Sequence, residues 1–477
     1  MVSGVVTRRS ISVGVVLLLI AASIALGAGM ARAGSGGARV HPFIYTHISR
    51  ATLSTPPTTD FCRQNLGISC YRPAQFQQAY DLNRLYQLGL NGAGRTIALV
   101  DSFGSPTIKQ DLATFDSTFG IPDPPSFDII TPAGAPPPFD PSNSDMVGWA
   151  QETTLDVEWA HAIAPGANLL LVETPVSETE GVTGFPEIVT AENYVVDHGL
   201  ADVISQSFGA TEETFPNKGA IMKLRSALKN AYNNHVTMLA SSGDDGSTDA
   251  LPDTSCCYEH QVNSWPSADP LVTSVGGTQL HLDAQGNRIA PDNVWDDPNS
   301  ILTGNPNDPT TCCATGGGLS HVFPRPAFQQ PVEDVVGSAR GTPDVSMSAA
   351  VDGAVVYYYS FVTPGWHLVG GTSEASPLFA GIVAITDQIA GKRLGWLNQS
   401  LYTLGRYADG SGGDVDVTKG DNHMTFLDAQ GKLVTVPGFP AMGGYDLSTG
   451  WGTVDAARLT FALAGIGALQ AANADAV

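Results

Sequence analysis

Basic side chains are scarce in this chain. Its 477 residues include 23 lysines and arginines against 46 aspartates and glutamates, a formal charge of −23. Such a balance argues against a nucleic-acid partner, whose phosphates would be repelled. Charged residues of either sign make up only 14% of the chain and hydrophobic ones 43%, so a large core can be buried. The sequence has no internal repeat, and beyond its first thirty residues no apolar run is long enough to span a bilayer. Cysteine is sparse too. No histidine stands at ligand spacing beside the doublets Cys256-Cys257 and Cys312-Cys313, which disfavours a soft-metal site.

What is present begins with an export pattern. Arg8 and Arg9 precede an apolar run from Ile11 to Met30, and Ala31-Arg32-Ala33 suits cleavage before Gly34. A membrane anchor is the competing reading, but glycine and alanine interrupt the run and a small-residue cleavage pattern ends it. Residues 1–33 are therefore read as a signal peptide, and the mature chain as secreted, free of the membrane and monomeric. Losing them leaves 20 basic against 46 acidic side chains. In an exported chain six cysteines read first as disulfides. Cys62 and Cys70 are expected to close a small loop, and the doublets to bridge two surface insertions, with the pairing open.

Residues 34–70, rich in glycine, serine, threonine and proline, read as a short leader held by one disulfide. Beyond it the apolar runs 96–100, 168–172, 202–206 and 236–240 alternate with helix-like segments near 107–118, 149–163, 185–198 and 218–234. Short continuous apolar strands separated by helices predict a doubly wound α/β fold, a mainly parallel sheet covered on both faces. One large domain is expected over 71–465, with an Ala-rich tail at 466–477. The proline-rich stretches 121–142 and 302–310 read as surface loops. In such sheets ligands bind beyond the carboxyl ends of the strands, which directs attention to Asp101, Ser207 and Asp244.

Three strings could carry chemistry. In GGTSEASPLFAG (370–381), Ser373 opens an apolar helix, where free N–H groups and the helix dipole favour a developing oxyanion. In WAQETTLDVEWAHAIAPGA (149–167), Glu152 and Asp156 stand one helical turn apart on one face. Two carboxyls aimed at one site repel when both are ionised and so tend to share a proton. In ASSGDDGS (240–247), Asp244 directly follows an apolar strand. Taken singly, each string has a plain structural explanation: a helix-capping serine, an acidic helix face and a tight turn.

Together the strings resemble those of the sedolisin (serine-carboxyl peptidase) family, with its subtilisin-like fold. Gly-Thr-Ser-x-x-x-Pro is similar to the nucleophile motif of subtilisins and sedolisins, while the His-Gly-Thr-His string of a subtilisin is missing around all ten histidines. The resemblance implies Ser373 as nucleophile, Glu152 as its base, Asp156 as the partner orienting Glu152, and Asp244 as a protonated oxyanion donor. It also implies polypeptide substrates and activity in acid. Asp101 would support the network. Further matching strings are VISQSFG (203–209), WPSADPLVTSVGGT (265–278), GGGLSHVFPRPAFQ (316–329) and RGTPDVSMSA (340–349). Near the C-terminus, DVTKGDN (416–422) follows Gly413-Asp414-Val415, and with MGGYDLSTGWG (442–452) it resembles the family's calcium site. By match, Asp416 and Asp446 would supply carboxylates and Val417, Met442 and Gly444 carbonyls to one structural Ca²⁺.

The long prosegment usual in the family has no counterpart in the 37 positions 34–70. Alternatives are an inactive calcium-stabilised extracellular binding protein of the same fold, a tripeptidyl peptidase, a neutral peptidase built on Asp101, His161 and Ser373, and, remotely, a glycosidase.

Overall fold

The computed structural model describes residues 1, 45–47, 53–252, 256–406 and 410–474, and residues 45–47 and 468–474 by backbone alone. The expected signal peptide lies outside the described residues, apart from Met1. An eight-stranded sheet forms the centre. Its order is Asn293–Val294, Thr273–Gln279, Thr237–Ser241, Val203–Gln206, Thr96–Ser102, Asn168–Thr174, Phe127–Ile130, and Val345–Ser348 also pairs with Thr273–Gln279. All these pairings are parallel except that of Asn293–Val294. The doubly wound, mainly parallel expectation holds.

The strand period of two explains why the sheet is covered twice. Along Thr96–Ser102, Ile97 and Leu99 join one apolar cluster with the helix Thr372–Ala390, while Ala98 and Val100 join another with the helix Phe185–Asp197. Strands buried on both faces need continuous apolar runs, and four of them were visible for that reason. The segment 218–234 forms two helices, Lys218–Leu224 and Ser226–Asn233, in place of one. The proline-rich stretch 121–142 is not all loop, since Phe127–Ile130 adds an edge strand beside Asn168–Thr174. An edge position tolerates prolines nearby because one row of its backbone groups needs no partner strand.

Described parts of the leader are built into a second sheet, in which Tyr45–His47 pairs with Gly365–Gly370 and Cys70–Tyr71 with Ala354–Tyr359. Cys62 bonds to Cys70 as expected. The doublets do not bridge the insertions: Cys256 pairs with Cys257 and Cys312 with Cys313. Backbone hydrogen bonds connect those regions instead, Gly246 N donating to Ala314 O (2.9 Å) and Ser247 N to Asn422 O (2.8 Å). The helix Ala456–Ala474 runs on past residue 465. Among the described residues no helix is long and apolar enough to cross a membrane.

The helices Ser144–Ile163 and Thr372–Ala390 pack against each other, bringing together the Glu-x-x-x-Asp pair and the serine. Gly381 permits this approach, because a Cβ there would stand 2.6 Å from Ile163 Cγ2 and 2.7 Å from its Cβ. Gly381→Val should therefore destabilise the fold by about 1–3 kcal/mol, the usual cost of overpacking. Denaturant unfolding checks it; a variant as stable as the parent would show that the two helices do not depend on this contact.

Candidate active site

Ser373 is the second residue of its helix, so its N–H is one of the four at the start that lack an intrahelical acceptor. The two glycines before it are required. A Cβ on Gly370 would meet Ala349 O at 2.7 Å, and Gly371 adopts φ 145°, which side chains rarely allow. The Ser373 hydroxyl donates to Ser207 O (3.2 Å), and Ser207 Oγ donates to Asp156 Oδ1 (2.9 Å). Glu152 lies beside Ser373, next to Asp156 and Asp101. Both Glu152 oxygens are buried within reach of the Ser373 hydroxyl and of Asp156, while the serine proton is directed to Ser207 O in this arrangement.

Asp244 stands on the other side of the serine. Its Oδ1 accepts from Thr372 N (2.8 Å) and Thr372 Oγ1 (2.8 Å), while Oδ2 is buried without a partner. The two oxygens therefore differ. Oδ1 is fixed as an acceptor, so a proton on this carboxyl belongs on Oδ2, which is left to donate.

Glu152, Asp156 and Asp101 are fully buried and Asp244 nearly so, and among the described residues no lysine, arginine or histidine pairs with any of them. Burial, followed by the charges of Asp156 and Asp101, pushes Glu152 well above the ordinary glutamate range. Asp156 is raised by burial and then by Asp101. Asp101 is raised to about 7 by burial, with Glu173 adding to it. Asp244 is raised well above its usual range by burial, against the two bonds from Thr372. Isolated buried carboxylates are too costly to keep, so these groups hold protons that exposed acids would release.

All four predicted catalytic residues are thus brought together, and Asp101 with them. Two partners were not assigned from the sequence: Thr372, which fixes Asp244, and Ser207, which ties Asp156 to the nucleophile's backbone. Glu374 was also passed over; it is fully buried beside Ser348, and burial followed by the charge of Asp244 raises it well above the ordinary glutamate range. Only its position next to Ser373 could have flagged it. His161 is elsewhere: its Nε2 faces Pro122 O (2.9 Å) and Asp116 (3.4 Å), which removes it from any triad with Ser373.

The profile of the subtilase family matches residues 144–399. Kumamolisin of Bacillus sp. (strain MN-32) is 31% identical over 408 residues, covering 84% of this chain, and sedolisin of Pseudomonas sp. (strain 101) is 30% identical over 404 residues, covering 82%. Pseudomonas sedolisin, a serine-carboxyl proteinase solved with two molecules of pseudo-iodotyrostatin, superposes with a TM-score of 0.67 at 25% identity, covering 84% of this chain and 99% of that one. The chain belongs to the sedolisin family. It spans 65% of the length of kumamolisin and 60% of that of sedolisin.

In this sedolisin-family chain four of the five residues matched to a calcium site are joined by hydrogen bonds across two segments, Asp416 with Gly444 and Met442 with Asp446. Met442 N donates to Asp446 Oδ2 (3.0 Å), and Gly444 N donates to both Asp416 oxygens (3.3 and 3.2 Å). Asp446 is buried, and its Oδ1 is held by Ser448 and Thr449. Two carboxylates flanking a loop of exposed backbone give hard oxygen donors of the kind Ca²⁺ takes, so the residues fit such an ion.

The buried acids make stability depend on pH in a definite direction. A carboxyl whose folded pKa is raised stabilises the fold fully below its unfolded value, near 4, and loses that contribution as pH climbs through the folded value. Thermal midpoints should fall steadily from pH 4 to beyond 7, and Glu152→Gln should flatten the dependence. Melting curves across that range check it; a midpoint that rises toward neutrality would contradict the burial of neutral acids.

Proposed function

We propose that the chain is a secreted serine-carboxyl endopeptidase active in acid, with Ser373 as nucleophile, Glu152 as base, Asp156 as its partner and Asp244 as oxyanion donor. The observation that carries this is the unpartnered Oδ2 of Asp244 beside a serine flanked by a buried carboxyl pair. Likeness to kumamolisin and sedolisin supports the same roles.

The steps follow from those positions. The Ser373 hydroxyl turns from Ser207 O to Glu152 and adds to the scissile carbonyl carbon, its proton passing to the Glu152 carboxylate. The carbonyl oxygen takes the negative charge and receives hydrogen bonds from protonated Asp244 and the Ser373 N–H. Collapse of the tetrahedral adduct breaks the C–N bond, and Glu152 returns the proton to the leaving amine. Water then repeats the sequence on the acyl-enzyme, releasing the acid and restoring Ser373. Asp156, bonded to Ser207 and adjacent to Glu152, holds the base in place and shares its proton.

The pH dependence has two limbs. Glu152 and Asp156 must together lose one proton for Glu152 to act as base, while Asp244 must keep its own. A free aspartate would be largely ionised above pH about 4. Burial of Asp244 extends its protonated range upward, so activity should reach higher pH than an exposed acid would allow. A structural Ca²⁺ at Asp416, Val417, Met442, Gly444 and Asp446 would hold the C-terminal loops together.

Incubating the mature protein with an unfolded polypeptide across pH 3 to 8 tests the proposal directly. Internal cleavage should be fastest in acid, and Ser373→Ala or Glu152→Gln should each lower kcat/KM by at least about 10³-fold. Asp244→Asn, which keeps a donor that cannot ionise, should slow the reaction but move its alkaline limb upward. Cleavage by the Ser373→Ala variant at the parent rate would refute these roles, and binding without cleavage by the parent would favour an inactive binding protein. For calcium, a chelator or Asp416→Ala should lower the thermal midpoint by several degrees, and calcium should restore only the chelated parent.

A further inference from the structure

A second group of acids lies beyond Asp244, and the proposed mechanism does not use it. Glu178 follows the strand Asn168–Thr174, its N–H donating to Ser102 Oγ (3.0 Å). Its side chain is fully buried with both oxygens unpartnered, and it faces Glu180 and Asp249. Glu180 accepts from Thr211 N (3.0 Å), and Asp249 accepts from Ala250 N (2.8 Å) and from Ser264 Oγ. Glu213 closes the group toward solvent, where it meets His321, and Tyr258 is near enough for the charges of Glu213, Glu180 and Asp249 to act on it. Asp249 also acts on Asp244, so the group borders the candidate oxyanion site.

Among the described residues no lysine or arginine pairs with Glu178, Asp249 or Glu213. Apart from the contact of Glu213 with His321 at the outer edge, these three carboxyls pair with no cationic side chain among the described residues, and Glu178 is wholly buried and unbonded, so the group is complementary to a cation from outside. A divalent metal would need oxygens gathered within about 5 Å of one another, since each sits about 2.3–2.6 Å from the ion. Among the described residues such tight threefold sets occur at Asp296, Asp421 and His423 and at Asp245 with paired Cys256 and Cys257, not among these four acids. A guanidinium or ammonium spreads its donors more widely and can rest on an aromatic ring such as that of Tyr258.

We propose that Glu178, Glu180, Glu213 and Asp249 form a specificity pocket for a cationic group of the polypeptide substrate, with Glu178 at its buried end. The pocket rests on the peptidase reading above and adds to it the chemistry of the preferred substrate. Entry of the cation displaces a proton from Glu178, Glu180 or Asp249, which burial and mutual repulsion hold protonated when the pocket is empty. The cation is a lysine or arginine side chain or a free N-terminal ammonium.

The test compares peptides carrying arginine or norleucine at each position around the scissile bond, with free or acetylated N-termini. For the parent, kcat/KM should favour arginine at one fixed position, or the free terminus, by at least about tenfold. Glu178→Gln should bring that ratio down toward one, and Glu180→Gln, at a partly exposed position, serves as a second variant should the first fail to fold. Preference tied to the acetylation state identifies the ammonium as the source; preference tied to the side chain identifies arginine or lysine. No preference at any position, or a ratio the variants leave in place, overturns the pocket while leaving the peptidase reading intact. Should the parent cleave nothing, Ser373→Ala binding of the same peptides by fluorescence anisotropy decides the pocket independently: tighter arginine or free-amine binding that Glu178→Gln abolishes supports it, and equal binding overturns it.

Discussion

The structure depends on burying carboxyl groups that no cation neutralises among the described residues. Glu152, Asp156, Asp101, Asp244, Glu374 and Glu178 all lie inside the fold, and the free energy of placing unpaired charges there greatly exceeds what a domain can supply. The groups are therefore mostly neutral, and their contribution to stability declines as rising pH removes their protons. Chemistry follows from the same constraint. A neutral carboxyl can donate a hydrogen bond and a buried pair can pass one proton between its members, roles that amides and imidazoles would fill in a neutral site.

Small residues make that crowding possible. Gly381 lets two helices meet closely enough for Ser373 and the Glu152/Asp156 pair to share a site, and Gly370 and Gly371 turn the chain into the helix that exposes the Ser373 N–H. The parallel sheet ends its strands at a common edge, and Asp101, Ser207 and Asp244 each sit at or just beyond one of those ends. Rigid elements thus place the acids, while Thr372 and Ser207 orient them through short hydrogen bonds. In the proposed reading, the acidic group around Glu178 extends the same device from chemistry to substrate choice.

Much of this was visible in the residues alone. Continuous apolar runs such as 96–100 and 168–172 marked central strands because strands covered on both faces need them, and Glu152 and Asp156 at a spacing of four declared a shared helix face. Phe127–Ile130 was hidden because an edge strand half exposed among prolines carries no such run. The cysteine doublets were legible as disulfides but not in their pairing, since spacing says nothing about which segments approach in space.

By itself the sequence determined the doubly wound class, the order of the main strands and helices, and the strings that mark a sedolisin, because these depend on local periodicity and on residues adjacent in the chain. Only the tertiary structure decided which acids lose their water, which oxygen of Asp244 is free, that His161 belongs to Asp116, and that Glu178, Glu180, Glu213 and Asp249 converge. Desolvation and contact between distant segments set those properties, and neither is written in local order.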